Sequence, residues 1–176
     1  MAAIIGLDKN QIANICSQVD GVIESANFNS PGQIVISGEE SAVTTGMEMA
    51  KSMGAKRAIR LKVSGPFHSS LMEPIQDKFS QYIESTDMVK PDIPVIGNVS
   101  AEILQSADAV KEELLLQLTN SVQWVDSMHL LKDKADIFVE VGPGRVLRGL
   151  MRRINKKIKV YSINDKKSFE KVLKKM

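Results

Sequence analysis

The feature that most constrains the fold is the order of short periodic segments in the first sixty residues. Residues 1–6 are a brief apolar run and read as a strand. Asp8 is placed to cap a helix in which Ile12, Ile15, Cys16 and Val19 recur at helical spacing. Residues 22–27 read as a strand, Asn29-Ser30-Pro31-Gly32 as a turn, and residues 33–37 as a second strand centred on Ile34, Val35 and Ile36. Ser41 or Glu40 caps the next helix, which carries Val43, Met47, Ala50 and Met53 inward and stops at Gly54. Residues 56–63 alternate apolar and basic side chains, as a half-buried strand does. The order β-α-β-β-α-β is the ferredoxin-like, split-βαβ pattern, expected to span residues 1–62.

The Ser64-Gly65-Pro66 breaker opens a second part, residues 63–176. A helix is expected over 69–85, with Leu71, Met72, Ile75, Phe79, Tyr82 and Ile83 on one face. Residues 93–99 read as a buried strand bounded by Pro91 and Pro94. Helices follow over 107–118 and 122–131, then a strand over 137–141 closed by Gly142-Pro143-Gly144. A helix over 146–154, a strand over 159–163 and a basic helix over 166–175 complete the chain. Strands alternating with helices imply parallel βαβ units and an α/β class.

Composition excludes several function classes. Hydrophobic residues are 43% and charged residues 25% of 176, which is globular rather than disordered. No apolar run is long enough for a membrane span, and the N-terminal residues lack the pattern of a secretory signal. The net charge of +2 gives no argument for nucleic acid. Cys16 is the single cysteine, so no disulfide forms within the chain and a reducing, cytoplasmic setting is expected. Its place beside Ile12, Ile15 and Val19 fits a buried small hydrophobe better than a nucleophile. Arg145, Arg148, Arg152, Arg153, Lys156, Lys157 and Lys159 form a local basic cluster, followed by Lys166, Lys167, Lys171, Lys174 and Lys175. It is either solvated helix surface or a face for an acidic partner.

Motifs for common chemistries are absent. There is no G-x-S-x-G elbow, no P-loop and no dinucleotide fingerprint. His68, His129 and Cys16 are too few and too far apart for a metal site, so no metal is expected. His68 follows Gly65-Pro66-Phe67 between an expected strand and an expected helix, where α/β folds place reactive side chains. An imidazole there can take a proton from a hydroxyl and return it. Taken alone, an exposed loop histidine is usually just a polar loop residue. His129, between Met128 and Leu130, reads as a surface or capping residue.

The surroundings of His68 add to this. The stretch Val63-Ser64-Gly65-Pro66-Phe67-His68-Ser69-Ser70-Leu71-Met72 resembles the histidine motif of malonyl-CoA:acyl-carrier-protein transacylases. Asn27-Phe28-Asn29-Ser30-Pro31-Gly32-Gln33-Ile34-Val35-Ile36-Ser37-Gly38, Val122-Gln123-Trp124 and Phe138-Val139-Glu140-Val141-Gly142-Pro143-Gly144 resemble three further segments of that family, in its order. The resemblance implies a ferredoxin-like subdomain followed by the C-terminal part of an α/β-hydrolase-like acyltransferase subdomain. It also implies a ping-pong transfer in fatty-acid or polyketide synthesis, with no bound cofactor. A serine takes malonyl from CoA and passes it to the phosphopantetheine thiol of an acyl carrier protein. Splitting the transfer through a covalent ester is the gain of nucleophilic catalysis.

By the same resemblance, His68 is the general acid and base, and the backbone carbonyl of Gln117 orients its ring. Phe67 takes a position linked to acyl choice, where a bulky ring crowds an α-methyl group. Asn29 and Gln33 are candidates for the substrate cleft, although Asn29 also reads as a turn residue. Gly142-Pro143-Gly144 also reads as a tight strand-to-helix turn, and Asn98 as a strand-end hydrogen bonder. The family's serine motif G-H-S-x-G and its malonate-binding arginine have no counterpart in these residues. Ser64, Ser69 and Ser70 flank His68 without an elbow. The expectation is therefore a portion of a transacylase that supplies the histidine and one cleft wall, and is inactive without the serine. The absent N-terminal portion is then a partner. The alternative is an inactive module that binds a carrier protein or another partner through the basic cluster. An apolar surface is expected to lie exposed beside residues 93–99 or 137–141.

Overall fold

The computed structural model describes residues 1–175. They form two compact units, divided after Ser127. The first unit opens with β1 (Ala2–Ile5), α1 (Lys9–Gln18), β2 (Ile23–Ser30), β3 (Gln33–Gly38), α2 (Glu40–Ser52) and β4 (Arg57–Arg60). The four strands make one sheet in the order β2-β3-β1-β4 with every neighbouring pair antiparallel. β1 and β2 therefore run parallel with β3 inserted between them. Side chains alternate across the strands, so the sheet has two buried faces. Ala2, Ile4, Ile34 and Ile36 pack with Ile12, Ile15 and Val43, which the two helices supply. Ala3, Ala26 and Val35 lie on the opposite face with Met1 and Leu61.

Local chemistry accounts for most boundaries. Asp8 caps α1 through a reciprocal box: its carboxylate accepts from Gln11 N and the Gln11 side chain accepts from Asp8 N, both at 2.9 Å. α2 begins one residue earlier than read, with Glu39 at its N-cap and no side-chain capping bond, so neither Ser41 nor Glu40 caps it. β2 continues to Ser30 through two register shifts, which leaves only Pro31-Gly32 to turn. Gly32, not Asn29, takes the positive φ of that turn, at +70°.

Past β4 the sequence reading needs correction twice. The helix expected over 69–85 is a 3-10 segment, Ser70–Ile75, followed by α3 (Gln76–Glu84). Pro74 lies in the first part and has no N–H for a helical bond, which delays the regular helix. Of the apolar face assigned to it only Ile83 is buried, and Tyr82 is 63% exposed. The buried strand expected over 93–99 does not form. Only β5 (Val95–Ile96) is extended, paired antiparallel with β6 (Ile103–Leu104), and Ile93 is 79% exposed. Pro91 and Pro94 donate nothing to a ladder, so the segment stays at the surface. α4 (Ala107–Leu116) is capped by the Ser106 hydroxyl on Ala109 N at 3.0 Å.

The division falls within α5 (Trp124–Leu131), and a boundary expected at 62/63 lies inside the first unit. The reason is a strip of backbone pairing. Val122 N donates to Ala26 O at 2.8 Å and Phe28 N to Val122 O at 2.9 Å, which joins the segment before α5 to β2.

The second unit contains β7 (Ile137–Val141), α6 (Val146–Ile154), β8 (Lys159–Ile163) and α7 (Lys166–Leu173). β7 and β8 pair in parallel, from Ile137 opposite Lys159 to Val141 opposite Ile163, as the βαβ reading requires. Leu150, Met151, Val160 and Val172 form its interior, whereas Val141 is 77% and Val146 69% exposed. The glycine loop after β7 has a local cause. The Glu140 carboxylate accepts from Leu147 N at 2.9 Å, Arg148 N at 3.4 Å and Ser162 Oγ at 3.0 Å. A strand residue thus caps α6, and the chain turns sharply at Gly142-Pro143-Gly144 to allow it. No helix among the described residues is long and apolar enough to cross a membrane.

Candidate active site

His68 sits in the first unit, half-buried, with a left-handed φ of +59°. Few side chains hold that conformation without support, and here three elements provide it. From α4 and its end, Gln117 O lies 2.9 Å from His68 Nδ1, and Leu118 O accepts from His68 N at 3.1 Å. From β2, the Glu24 carboxylate accepts from Ser70 N at 2.8 Å and Ser70 Oγ at 2.9 Å. From within the loop, Ser69 Oγ donates to Pro66 O at 2.5 Å, and Ser69 is fully buried. A carbonyl can only accept, so the neutral ring carries its proton on Nδ1 and leaves the Nε2 lone pair free. That is the protonation state of a general base.

The segment 117–123 links these parts. It begins at the carbonyls that hold His68 and passes Ser121, whose hydroxyl donates to Ser25 O at 2.5 Å. It then pairs with β2 at Val122 and ends where Gln123 N donates to Asn98 O at 2.6 Å. Asn98 contributes its backbone carbonyl, at the hairpin between β5 and β6.

His68 opens into a concavity of about 760 Å³ that Cys16, Glu24, Ser70, Glu73 and Asn120 also line. The structure brings His68 and Gln117 together, and it keeps Asn29 and Gln33 out of this lining. Asn29 lies within β2 at a register shift, and Gln33 opens β3 opposite Ser30. With about 3.3 Å of rise per strand residue, Asn29 stands roughly 16 Å along β2 from Glu24. Phe67, 39% exposed, folds its ring over Gly65 and is not part of the lining either. Ser69 and Ser70 donate their hydroxyls to Pro66 O and to Glu24, so neither donates to His68. His129 is an exposed residue of α5.

Burial pushes the Cys16 thiol up to about 11, with the nearby Glu24 carboxylate adding to it and a hydrogen bond with Ser25 opposing it. The thiol is therefore a poor nucleophile at neutral pH. Among the described residues no three His, Cys, Asp or Glu side chains converge to hold a metal ion. Sequence reasoning missed Glu24 and Glu113. Each looks like one of many surface glutamates until the partner loops, remote in sequence, are placed against it.

No family model matches the chain. Among solved structures similar to this chain, a malonyl-transacylase in complex with its type II PKS acyl-carrier protein has TM-score 0.96 at 39% identity, covering 99% of this chain and 58% of that one. Among curated sequences, malonyl CoA-acyl carrier protein transacylases from Bacillus subtilis (strain 168) and Staphylococcus aureus (strain COL) are 40% and 43% identical. These matches cover 97% and 93% of this chain and 55% and 54% of theirs. Over the stretch it covers, the chain is similar to the malonyl CoA-acyl carrier protein transacylases. It spans about half the length of the curated relatives it matches.

Proposed function

We propose that these residues are the histidine-bearing, C-terminal portion of a malonyl-CoA:acyl-carrier-protein transacylase, and that the nucleophilic serine lies outside them. The observation that carries the reading is the His68 ring, tied at Nδ1 to the Gln117 carbonyl and free at Nε2. In the first half-reaction Nε2 takes the proton of the serine hydroxyl as its oxygen attacks the malonyl thioester carbonyl. The C–S bond breaks, and the proton on Nε2 passes to the departing CoA thiolate. In the second half-reaction the carrier-protein thiol gives its proton to Nε2, attacks the malonyl ester, and the serine oxygen leaves and is reprotonated. No cofactor enters either step. The Ser69 and Ser70 hydroxyls that adjoin His68 are engaged elsewhere, which supports a serine from outside these residues. Phe67 excludes an α-methyl group in this reading. Asn29 and Gln33 belong to the far end of the cleft wall, beyond direct reach of the imidazole. The β2-β3-β1-β4 antiparallel order supports a ferredoxin-like small subdomain over residues 1–62. The setting is the cytoplasm.

The test is transfer of labelled malonyl from CoA to a carrier protein. The chain alone gives no transfer and no malonyl adduct by intact mass. Mixed with the remaining portion of the Bacillus subtilis relative, it gives transfer that His68→Ala lowers by about 10²–10⁴-fold. A stable malonyl adduct on this chain alone would overturn the placement of the nucleophile.

A second reading has one observation in its favour. Arg148, Arg152, Lys156 and Lys159 line a single concavity in the second unit. In this reading the chain is an inactive module that binds a carrier protein or another acidic partner. Calorimetric titration with a carrier protein at low salt separates the two: binding without any transfer in the mixture favours the module.

A further inference from the structure

The geometry points to Glu113 as a positioning residue that fixes the orientation of the His68 imidazole through a closed circuit of backbone contacts. The inference rests on the reading of His68 as the proton-transfer group.

Glu113 is 7% exposed, on the inner side of α4, one helical turn before Gln117. Its carboxylate fills the loop between β5 and β6. Oε1 accepts from Val99 N at 2.6 Å, and Oε2 accepts from Ser100 Oγ at 2.9 Å and from Ser100 N at 3.3 Å. Hydrogen bonds to a charged acceptor in a buried site are the strong kind. The loop so held presents Asn98 O to Gln123 N at 2.6 Å. Gln123 is the far end of the segment whose near end, Gln117 and Leu118, supplies both carbonyls that hold His68. The circuit closes within α4, where Gln117 N donates to Glu113 O at 2.9 Å. One carboxylate therefore anchors both ends of the segment that orients the ring. Glycine at position 97 leaves room for it: a Cβ there would stand 2.3 Å from Glu113 Oε2.

Loss of the carboxylate frees the loop, then the Asn98 carbonyl, then the register of residues 117–123. Gln117 O drifts from Nδ1, and the ring loses its reason to carry the proton there. The chain has two histidines, which makes the effect directly readable. Ring-¹⁵N-labelled protein is studied by long-range ¹H–¹⁵N correlation at about pH 8.5, roughly two units above the ordinary imidazole pKa. In the unsubstituted chain His68 is mainly the Nδ1–H tautomer. In Glu113→Ala that form loses its majority while His129 is unchanged. Glu113→Gln, with one carbonyl oxygen in place of two carboxylate oxygens, restores part of it, and Ser100→Ala causes a smaller loss in the same direction. A general loss of structure moves both histidines, so His129 separates positioning from unfolding. If Glu113→Ala does not fold, Glu113→Gln and Ser100→Ala carry the test. A His68 tautomer that none of the folded variants shifts overturns the role of Glu113 alone. An unsubstituted chain without the Nδ1–H form overturns the orientation of His68 by Gln117, and this inference with it.

Discussion

His68 holds a left-handed backbone conformation, φ +59°, that costs a non-glycine residue about 1 kcal/mol or more. The chain retains it because Leu118 O and the Glu24–Ser70 pair fix the loop on either side. His68→Gly is therefore expected to be about 1 kcal/mol more stable than His68→Ala, with both equally unable to support transfer. Chemical denaturation of the two variants measures the difference; His68→Ala as stable as His68→Gly would show that the loop is unstrained. Cys16 gives a second expectation at this scale. Its thiol sits near 11 against an ordinary 9.0 because of burial, so at pH 8 its thiolate is scarcer by roughly 100-fold. Alkylation by iodoacetamide should be slower than that of the unfolded chain by about that factor. The sign for stability follows: the raised value contributes stability below pH 9.0, lost as pH climbs toward 11. Alkylation at the unfolded rate would sink this. In the sequence His68 stands out by its motif and Cys16 by its helical neighbours. Glu24 and Ser25 do not, because a strand's contacts with remote loops leave no periodic trace.

Elements with local causes were read close to their true bounds. Asp8 and its box with Gln11 announce α1, and Asp8→Ala is expected to cost about 1 kcal/mol in thermal unfolding. Ile137–Val141 and Lys159–Ile163 were read at their observed bounds, because a continuous apolar run followed by a glycine turn admits few alternatives. The segment between α3 and α4 departs from its apolar pattern. Ile93, Val95 and Val99 look like a buried strand, yet the prolines and a hairpin dominate, and the loop's real anchor is a glutamate inside the next helix. That anchoring couples two elements in a measurable way. Gly97→Ala would put a Cβ 2.3 Å from Glu113 Oε2 and 2.4 Å from Ser100 Oγ, so the carboxylate must leave. The expected cost is roughly 1–3 kcal/mol. In a Glu113→Ala background the same substitution should cost less by about 1 kcal/mol, because the collision with the carboxylate is gone and only the one with Ser100 Oγ remains. Urea titrations of the four chains give the coupling. Additive effects would mean that the hairpin does not depend on the carboxylate.

At the scale of the whole molecule, the second unit carries more apolar surface than its own elements cover. Its sheet has two strands, and an isolated pair of strands is marginal in water without a packed face. Val139 is 38%, Val141 77%, Val146 69% and Leu147 40% exposed, all on or beside β7. Single exposed apolar residues need no explanation, but a cluster at one strand and the helix after it does. In the proposed transacylase the remaining portion of the enzyme covers this face. Burying each of these side chains is worth on the order of 1.5 kcal/mol, enough together to decide whether two pieces stay associated. The chain alone is then expected to bind a hydrophobic dye or self-associate, and to lose that behaviour when the remaining portion of the Bacillus subtilis relative is added. Val141→Asp places a charge at the centre of the patch. It should weaken association with that portion by at least tenfold and lower transfer by the mixture, while leaving the His68 tautomer of the first unit unchanged. Analytical ultracentrifugation and the transfer assay follow the two effects side by side. A chain that remains a monodisperse monomer, binds no dye and is indifferent to the added portion would show that this face needs no cover, and would shift weight to the carrier-binding module.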